Sequence, residues 1–462
     1  MSSPSQAVTI LEHSHVAPPP STTTLPFTLF DTFWVRLPNI NRLTFYEFPY
    51  SESHFIENII PNLKNSLSQT LKEYCILAGK LVVPQDTSKF PELRYVEGDS
   101  VSLIFARVDY SVDFKRLVSN EPRNCSEFYP FVPQIVMEPQ DSSSSSSKVI
   151  KLLSLQVTLF PNVGICIGVT NHHAVGDANA IFRFVKAWAT LCKDGAATLS
   201  GELLPLYDRT LVKDPKNMKK AWWTLIGTLD FADAFSKLLP TTTHKERATF
   251  VFDSETVKNL KSFAMSKNPA LERLSTFIVV CAYVWTCLVK SRVATEENVN
   301  EQEAEYFGFV ADARGRLDPP LPDNYFGNCL VYCYSSSKVK DLTEGGGFVL
   351  AVELIAECIK KRLFNKNGVL SDAENWFKDF ANVDVKRMIG VAGSPKYNYY
   401  DLDFGFGKGR KFEFVSIDEQ GSIAISGCRD GGGVIEVGLS LPKERMAAFV
   451  ASFNEGLKGL HL

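Results

Sequence analysis

"LLSLQVTLFPNVGICIGVTNHHAVGD", residues 152–177, ends where one periodicity gives way to another. Leu153, Leu155, Val157 and Leu159 alternate with Ser154, Gln156 and Thr158, the period-2 pattern of a half-buried strand. Pro161-Asn162-Val163-Gly164 supplies turn chemistry and residues 165–170 read as a second strand, so residues 151–170 are expected to form a hairpin. From Ala178 to about Cys192 the apolar positions Ile181, Phe184, Val185, Trp188 and Leu191 recur at helical spacing. The segment His172-His173-Ala174-Val175-Gly176-Asp177 therefore occupies a strand-to-helix junction, where side chains end on a turn held by rigid elements.

Outward from that junction the chain reads as an ordinary α/β protein. Its 462 residues exceed what one core usually organises, so two domains are expected. A net charge of −3 gives no general reason to bind nucleic acid or an anionic membrane. The 10 cysteines contain no Cys-x-x-Cys pair, which fits reduced thiols in the cytosol better than a disulfide scaffold or a zinc site. The N-terminal stretch has no basic start before an apolar block and does not read as a secretory signal. Residues 277–289, the longest apolar run, fall short of the ~18 that suggest a membrane span and read as a helix buried on all sides. Residues 55–75 predict an amphipathic helix, with Pro61 a possible first-turn residue, and the serines 142–147 predict a surface loop. Residues 193–220 show no sustained period and form the expected interdomain crossover.

His173 is the natural general base, because an imidazole with an ordinary pKa of ~6.5 can take a proton from a hydroxyl near neutral pH. The plainer alternative is a buried, hydrogen-bonded histidine. Asp177 stands where the helical pattern begins and reads as an N-cap, with a structural role favoured over a catalytic one. A metal site at His172, His173 and Asp177 has no nearby third cluster of ligands and is not favoured. Asp403-Phe404-Gly405 matches the magnesium-binding triplet of protein kinases. No Gly-rich phosphate loop, Val-Ala-x-Lys strand or His-Arg-Asp loop accompanies it, so that reading fails.

His173-Ala-Val-Gly-Asp177 together with Asp403-Phe-Gly-Phe-Gly407 resembles the paired signatures of the plant BAHD acyltransferases, His-x-x-x-Asp and Asp-Phe-Gly-Trp-Gly. Ser275-Thr276-Phe277, Asp312-Ala-Arg314-Gly-Arg316 and Tyr325-Phe-Gly-Asn-Cys329 resemble further blocks, the last typical of the anthocyanin and flavonoid-glycoside branch. The resemblance implies an α/β fold of two chloramphenicol acetyltransferase-like domains, joined by a long crossover, with the active-site channel at their interface. Placed on this chain, the domains are 1–195 and 226–462 with a crossover at 196–225, and a segment near 415–427 packs back on the N-terminal domain.

The same resemblance implies malonyl transfer from malonyl-CoA to a sugar hydroxyl of a phenolic glycoside, without metal, permanent cofactor or acyl-enzyme. Hydroxycinnamoyl transfer is the second expectation. It casts His173 as general base, Asp177 and Arg314 as a structural bridge, Ser275 and Thr276 as contacts to coenzyme A, and Asp403 as mainly structural. Arg183 becomes the candidate for the donor carboxylate, and Cys329 is read as packing. Phe406 replaces the family's tryptophan, so no role resting on an indole N–H carries over. A cytosolic monomer is expected.

Overall fold

Two large sheets carry the chain, and each takes a strand from the opposite half of the sequence. The computed structural model describes residues 8–109, 111–135, 147–195, 198–228, 244–296, 298–376 and 383–459. The first sheet runs Val8–Val16, Val101–Val108, Leu153–Phe160, Gly164–Asn171, Ile40–Glu47 and Lys411–Phe414. The second runs Leu330–Lys338, Ala304–Asp312, Met388–Ala392, Ser422–Gly427, Ile435–Pro442, Lys245–Phe252 and Arg123–Asn124. A third, four-stranded sheet orders Thr23–Pro26, Glu92–Tyr95, Lys80–Pro84 and Ser147–Lys151.

The expected hairpin is formed by Leu153–Phe160 and Gly164–Asn171, antiparallel with Phe160 opposite Gly164. Asn162 makes the reversal at φ 61°. The first strand is buried on both faces, not on one as its alternation suggests. Gln156 shows the reason: its Nε2 donates to the Pro130 carbonyl and to Thr158 Oγ1, both at 2.9 Å, so the polar face is covered by chain that satisfies it. The helix Ala178–Asp194 follows as expected and ends on Gly195 in the left-handed region. The amphipathic helix near residue 60 begins before Pro61. Its α-helical part, Ile60–Glu73, continues from a π-helical turn, Phe55–Ile59, in which the Ile60 N–H reaches back to the Phe55 carbonyl.

In the second half, the helix Thr276–Thr295 is surrounded by the helices Ser254–Lys267, Gly347–Leu363 and Lys443–Lys458. By length and composition it is apolar enough to cross a membrane, yet 78% of its apolar window is buried inside the fold. That is the all-round burial expected of residues 277–289, extended by a turn and more at the C-terminal end.

The exchange between halves is reciprocal. Lys411–Phe414 pairs with Ile40–Glu47, and Arg123–Asn124 pairs with Lys245–Phe252. Arg123 and Glu413, one from each exchanged strand, form an ion pair at 2.9 Å with 0% and 4% of their side chains exposed. Arg247 joins Glu413 at 3.2 Å. The crossing strand thus precedes the 415–427 segment in which contact was expected. Val415 and Ile417 still pack on first-half clusters, whereas Ser422–Gly427 belongs to the second sheet. "KFEF" escapes a periodicity reading because all four of its residues are buried.

The segment between Gly195 and the helix Met218–Thr228 is held to the second half by its own backbone. The Leu206 N–H donates to the Asn324 carbonyl and the Phe326 N–H to the Leu206 carbonyl, each at 2.9 Å. Residues 1–7, 196–197 and serines 142–146 lie outside the described residues, and Ser147 starts a strand.

Candidate active site

At the end of Gly164–Asn171 the chain makes one tight turn, His173–Val175, capped by His172 Nδ1, which accepts the Ala174 N–H at 3.2 Å. Asp177 Oδ1 accepts the Ala180 N–H at 3.1 Å and so caps the following helix. The same carboxylate receives a two-pronged contact from Arg314, Nη1 to Oδ2 at 2.7 Å and Nη2 to Oδ1 at 3.1 Å, with neither side chain exposed. The Cys329 N–H adds a bond to Oδ2 at 3.1 Å. Capping and bridging are compatible because an ionised carboxylate has about four acceptor positions. Burial opposes the charge on Arg314, yet Asp177 holds its pKa above the ordinary value.

The Tyr325–Cys329 block is the clamp on this turn. Arg314 Nη2 also donates to the Tyr325 and Gly327 carbonyls, at 3.1 and 3.0 Å. Asn328 Nδ2 donates to the His173 carbonyl at 3.1 Å and to buried Asp31 at 3.2 Å. Arg209, from the crossover, donates to the Tyr325 hydroxyl at 2.8 Å. Gly327 has φ +149°, and a Cβ there would collide with the Arg209 guanidinium. Both halves and the crossover therefore fix the backbone of His173.

Its ring lies flat on Trp34, with centroids 3.8 Å apart and planes 9° from parallel. Nδ1 is buried without a hydrogen-bond partner among the described residues, and His173 lines the cavity. Burial, helped by the nearby Arg42 and His172, pushes the His173 pKa down to about 3. The imidazole is therefore neutral at pH 7 and can accept a proton. The cavity measures about 1590 Å³ and lies between the halves. Trp34, Arg42, His173 and Asn179 line it from the first, and Ser275, Phe309, Leu330, Tyr397 and Phe414 from the second.

The remaining site expectations divide. Ser275 caps the helix Thr276–Thr295, accepting the Ile278 N–H at 3.3 Å, and lines the cavity next to exposed Arg273. Thr276 is not among the lining residues; its hydroxyl meets Lys261 Nζ at 3.3 Å. Arg183 is turned away from the cavity, which corrects the expectation that it meets the donor carboxylate. Asn179, one helical turn back, accepts from its Nε at 3.3 Å, and the Glu202 carbonyl in the crossover accepts from Nη1 at 2.5 Å. Cys329 is buried and contributes its backbone. Among the described residues no cluster of metal-ligating side chains occurs.

Asp403 sits at the other end of the motif helix. It accepts the Gly405 and Gly407 N–H groups, both at 2.8 Å, and pairs with Lys193 at 2.9 Å. Burial acts against the charge, but Lys193 and these N–H groups hold its pKa below the usual carboxylate range. With 17 residues, that helix is about 25 Å long, and Asp177 and Asp403 meet its opposite ends. Phe406 packs edge-on against Tyr46 and Phe48 and does not line the cavity, so the aromatic ring at this position is remote from the reacting atoms. Sequence reasoning missed Trp34, Arg42, Asp31 and Asn328. A buried aspartate in "LFDTFWVR" is the one local signal for this group, since Asp31 closes a capping box with Thr28.

The chain matches the Transferase family over residues 6–455. It is 43% identical to a malonyl-coenzyme A:anthocyanin 3-O-glucoside-6''-O-malonyltransferase of Dahlia pinnata, over 98% of each chain. It is 44% identical to phenolic glucoside malonyltransferase 1 of Nicotiana tabacum over 98% of this chain and 99% of that one. Identity to a coumaroyl-CoA:anthocyanidin 3-O-glucoside-6''-O-coumaroyltransferase of Arabidopsis thaliana is 33%, again over 98% of each. In fold it is similar to vinorine synthase, with a TM-score of 0.70 at 18% identity over 96% of each chain.

Proposed function

This chain belongs to the BAHD acyltransferases of the transferase family, and from that premise we propose that it moves a malonyl group from malonyl-CoA to a sugar hydroxyl of a phenolic or flavonoid glucoside. The observation that carries the proposal is His173 in the wall of a cavity shared by both halves of the chain, its ring fixed on Trp34. The names of the similar malonyltransferases support the donor and the acceptor class.

The acceptor oxygen attacks the thioester carbonyl carbon as its proton passes to His173 Nε2. The tetrahedral intermediate then expels the coenzyme A thiolate, which takes the proton from the imidazolium, so the base is restored with each turnover. Trp34 and the Asn328 contact to the His173 carbonyl hold the ring and its backbone without moving protons. Asp177 and Arg314 position the turn. Ser275 faces the donor, and Arg273, Lys360 and Lys361, exposed on the same cavity wall, supply positive charge for its phosphates. The ten cysteines are all unpaired, which supports residence in a reducing cytosol. We retain 1–195 and 226–462 as the two domains, with the exchanged strands as their tie.

Incubation with a flavonoid glucoside and either malonyl-CoA or coumaroyl-CoA, following free thiol, tests the reading. Faster turnover with malonyl-CoA is expected. Faster turnover with coumaroyl-CoA would reverse the donor, and failure with every acyl-CoA would overturn the reaction class.

A further inference from the structure

Arg42 is a buried cation in the cavity wall, and no carboxylate among the described residues pairs with it. Its side chain is 6% exposed, and no ion pair to it occurs among the described residues. Among the described residues the one hydrogen bond from its guanidinium runs from Nη1 to Asn171 Oδ1 at 2.6 Å, and Nε is buried with no acceptor. The guanidinium lies over the ring of Phe414, 5.1 Å from its centroid, on the exchanged strand directly opposite Arg42 in register. A buried charge left in this state is costly unless an anion joins it.

The other cations near the cavity are differently placed. Arg314 is spent on Asp177, and Arg183 faces the crossover. Arg273, Lys360 and Lys361 are exposed. Lys396 pairs with Asp312 at 3.6 Å and Arg316 donates to the Asp312 carbonyl. Arg42 is also the cation beside the base: it binds the side chain of Asn171, two residues before His173, and its charge reaches the His173 ring.

We propose that Arg42 receives the free carboxylate of the acyl donor and thereby selects a dicarboxylic acyl-CoA over a neutral one. In a malonyl thioester the carboxylate carbon is about 2.5 Å from the carbonyl carbon under attack, across one methylene. A cation that grips it must therefore adjoin the general base, as Arg42 does and Arg183 does not. With Nε closed off by packing and Nη1 on Asn171, Nη2 is the guanidinium nitrogen left to donate to a carboxylate.

This inference rests on the malonyl reading, and the test separates the two. The wild-type protein is assayed with malonyl-CoA and with acetyl-CoA, which lacks only the carboxylate, on one glucoside acceptor. Preference for acetyl-CoA in the wild type would overturn the malonyl reading itself. Given a malonyl preference, Arg42→Met is expected to lower kcat/KM for malonyl-CoA about 30-fold or more beyond any loss it causes with acetyl-CoA. Equal losses with both donors, or no loss with either, would overturn the assignment to Arg42 alone and leave the malonyl reading standing. Because Arg42→Met removes a buried side chain, a second measurement uses a folded wild-type wall: the malonyl-CoA complex of His173→Ala. The carboxylate is expected about 3 Å from Arg42 Nη2; a carboxylate held by any other cation would overturn the proposal.

Discussion

The helix Ala178–Asp194 meets a carboxylate–cation pair at each end, and the two pairs are opposites. At its N-terminus Asp177 and Arg314 are wholly buried, and the carboxylate also takes two backbone N–H groups. At its C-terminus Lys193 is 51% and Asp403 23% exposed, and the carboxylate ties two glycine N–H groups of its own loop. The two motifs that identify this chain therefore act at different places on one rod. The first places a base in the cavity. The second turns the chain so that Lys411–Phe414 can enter the first sheet beside Ile40–Glu47 and put Phe414 under Arg42.

The sharpest way to test that division is at the N-terminal end. His173→Ala should lower kcat by about 10²–10⁴-fold, the usual contribution of a general base, with the circular-dichroism spectrum and melting curve unchanged. A variant that keeps most of its activity would remove the base from His173. Asp177→Ala comes next, since it strands the buried Arg314; a loss of about 3–5 kcal/mol in denaturant unfolding is expected, with activity falling as the turn loosens. Unchanged stability together with unchanged kinetics would defeat the bridge.

Acidification works on the same end. In the unfolded chain His172 and His173 protonate near the ordinary ~6.5, whereas burial lowers their pKa to about 4 and about 3 in the fold. Between those values the unfolded state binds more protons, so stability is full above about pH 6.5 and declines as the pH falls toward 4. The melting temperature should drop across that window, and the acid limb of kcat/KM should lie below the ordinary imidazole value. A limb at or above pH 6.5 would mean that His173 titrates as an exposed histidine does.

Much of this division is legible in the sequence, and the part that is not shares one cause. The hairpin and the motif helix declare themselves because each repeats a period over many residues, and Thr276–Thr295 because its long apolar run has no polar face. The pairing of Asp177 with Arg314 comes from the family resemblance, since 137 positions separate them and no local pattern joins them. The exchanged strands Arg123–Asn124 and Lys411–Phe414 are too short to show a period. Trp34 and Arg42 lie in segments whose apolar character reads as core, and only the tertiary fold brings them to His173. Arg183 misleads for the converse reason: proximity in sequence to His173 places it on the helix, while the helical turn decides which way it faces.

The C-terminal end should answer more weakly. Asp403→Ala removes the one oxygen that accepts two N–H groups, and a half-exposed pair, so a loss of about 1–2 kcal/mol is expected, with KM for both substrates little changed in the fraction that remains folded. Asp403→Asn keeps an acceptor for the glycines and should lose less. The mildest change is Phe406→Trp, which restores the family's residue. The ring at 406 is part-buried between Tyr46 and Phe48, with centroids 5.9 and 5.6 Å away, and a larger indole can extend toward solvent there. Since this loop lies about a helix length from the base, kcat/KM should stay within about twofold, measured beside the wild type with saturating donor. A tenfold rise would show that the indole takes part in the transition state after all, and that the far end of the helix reports to the cavity.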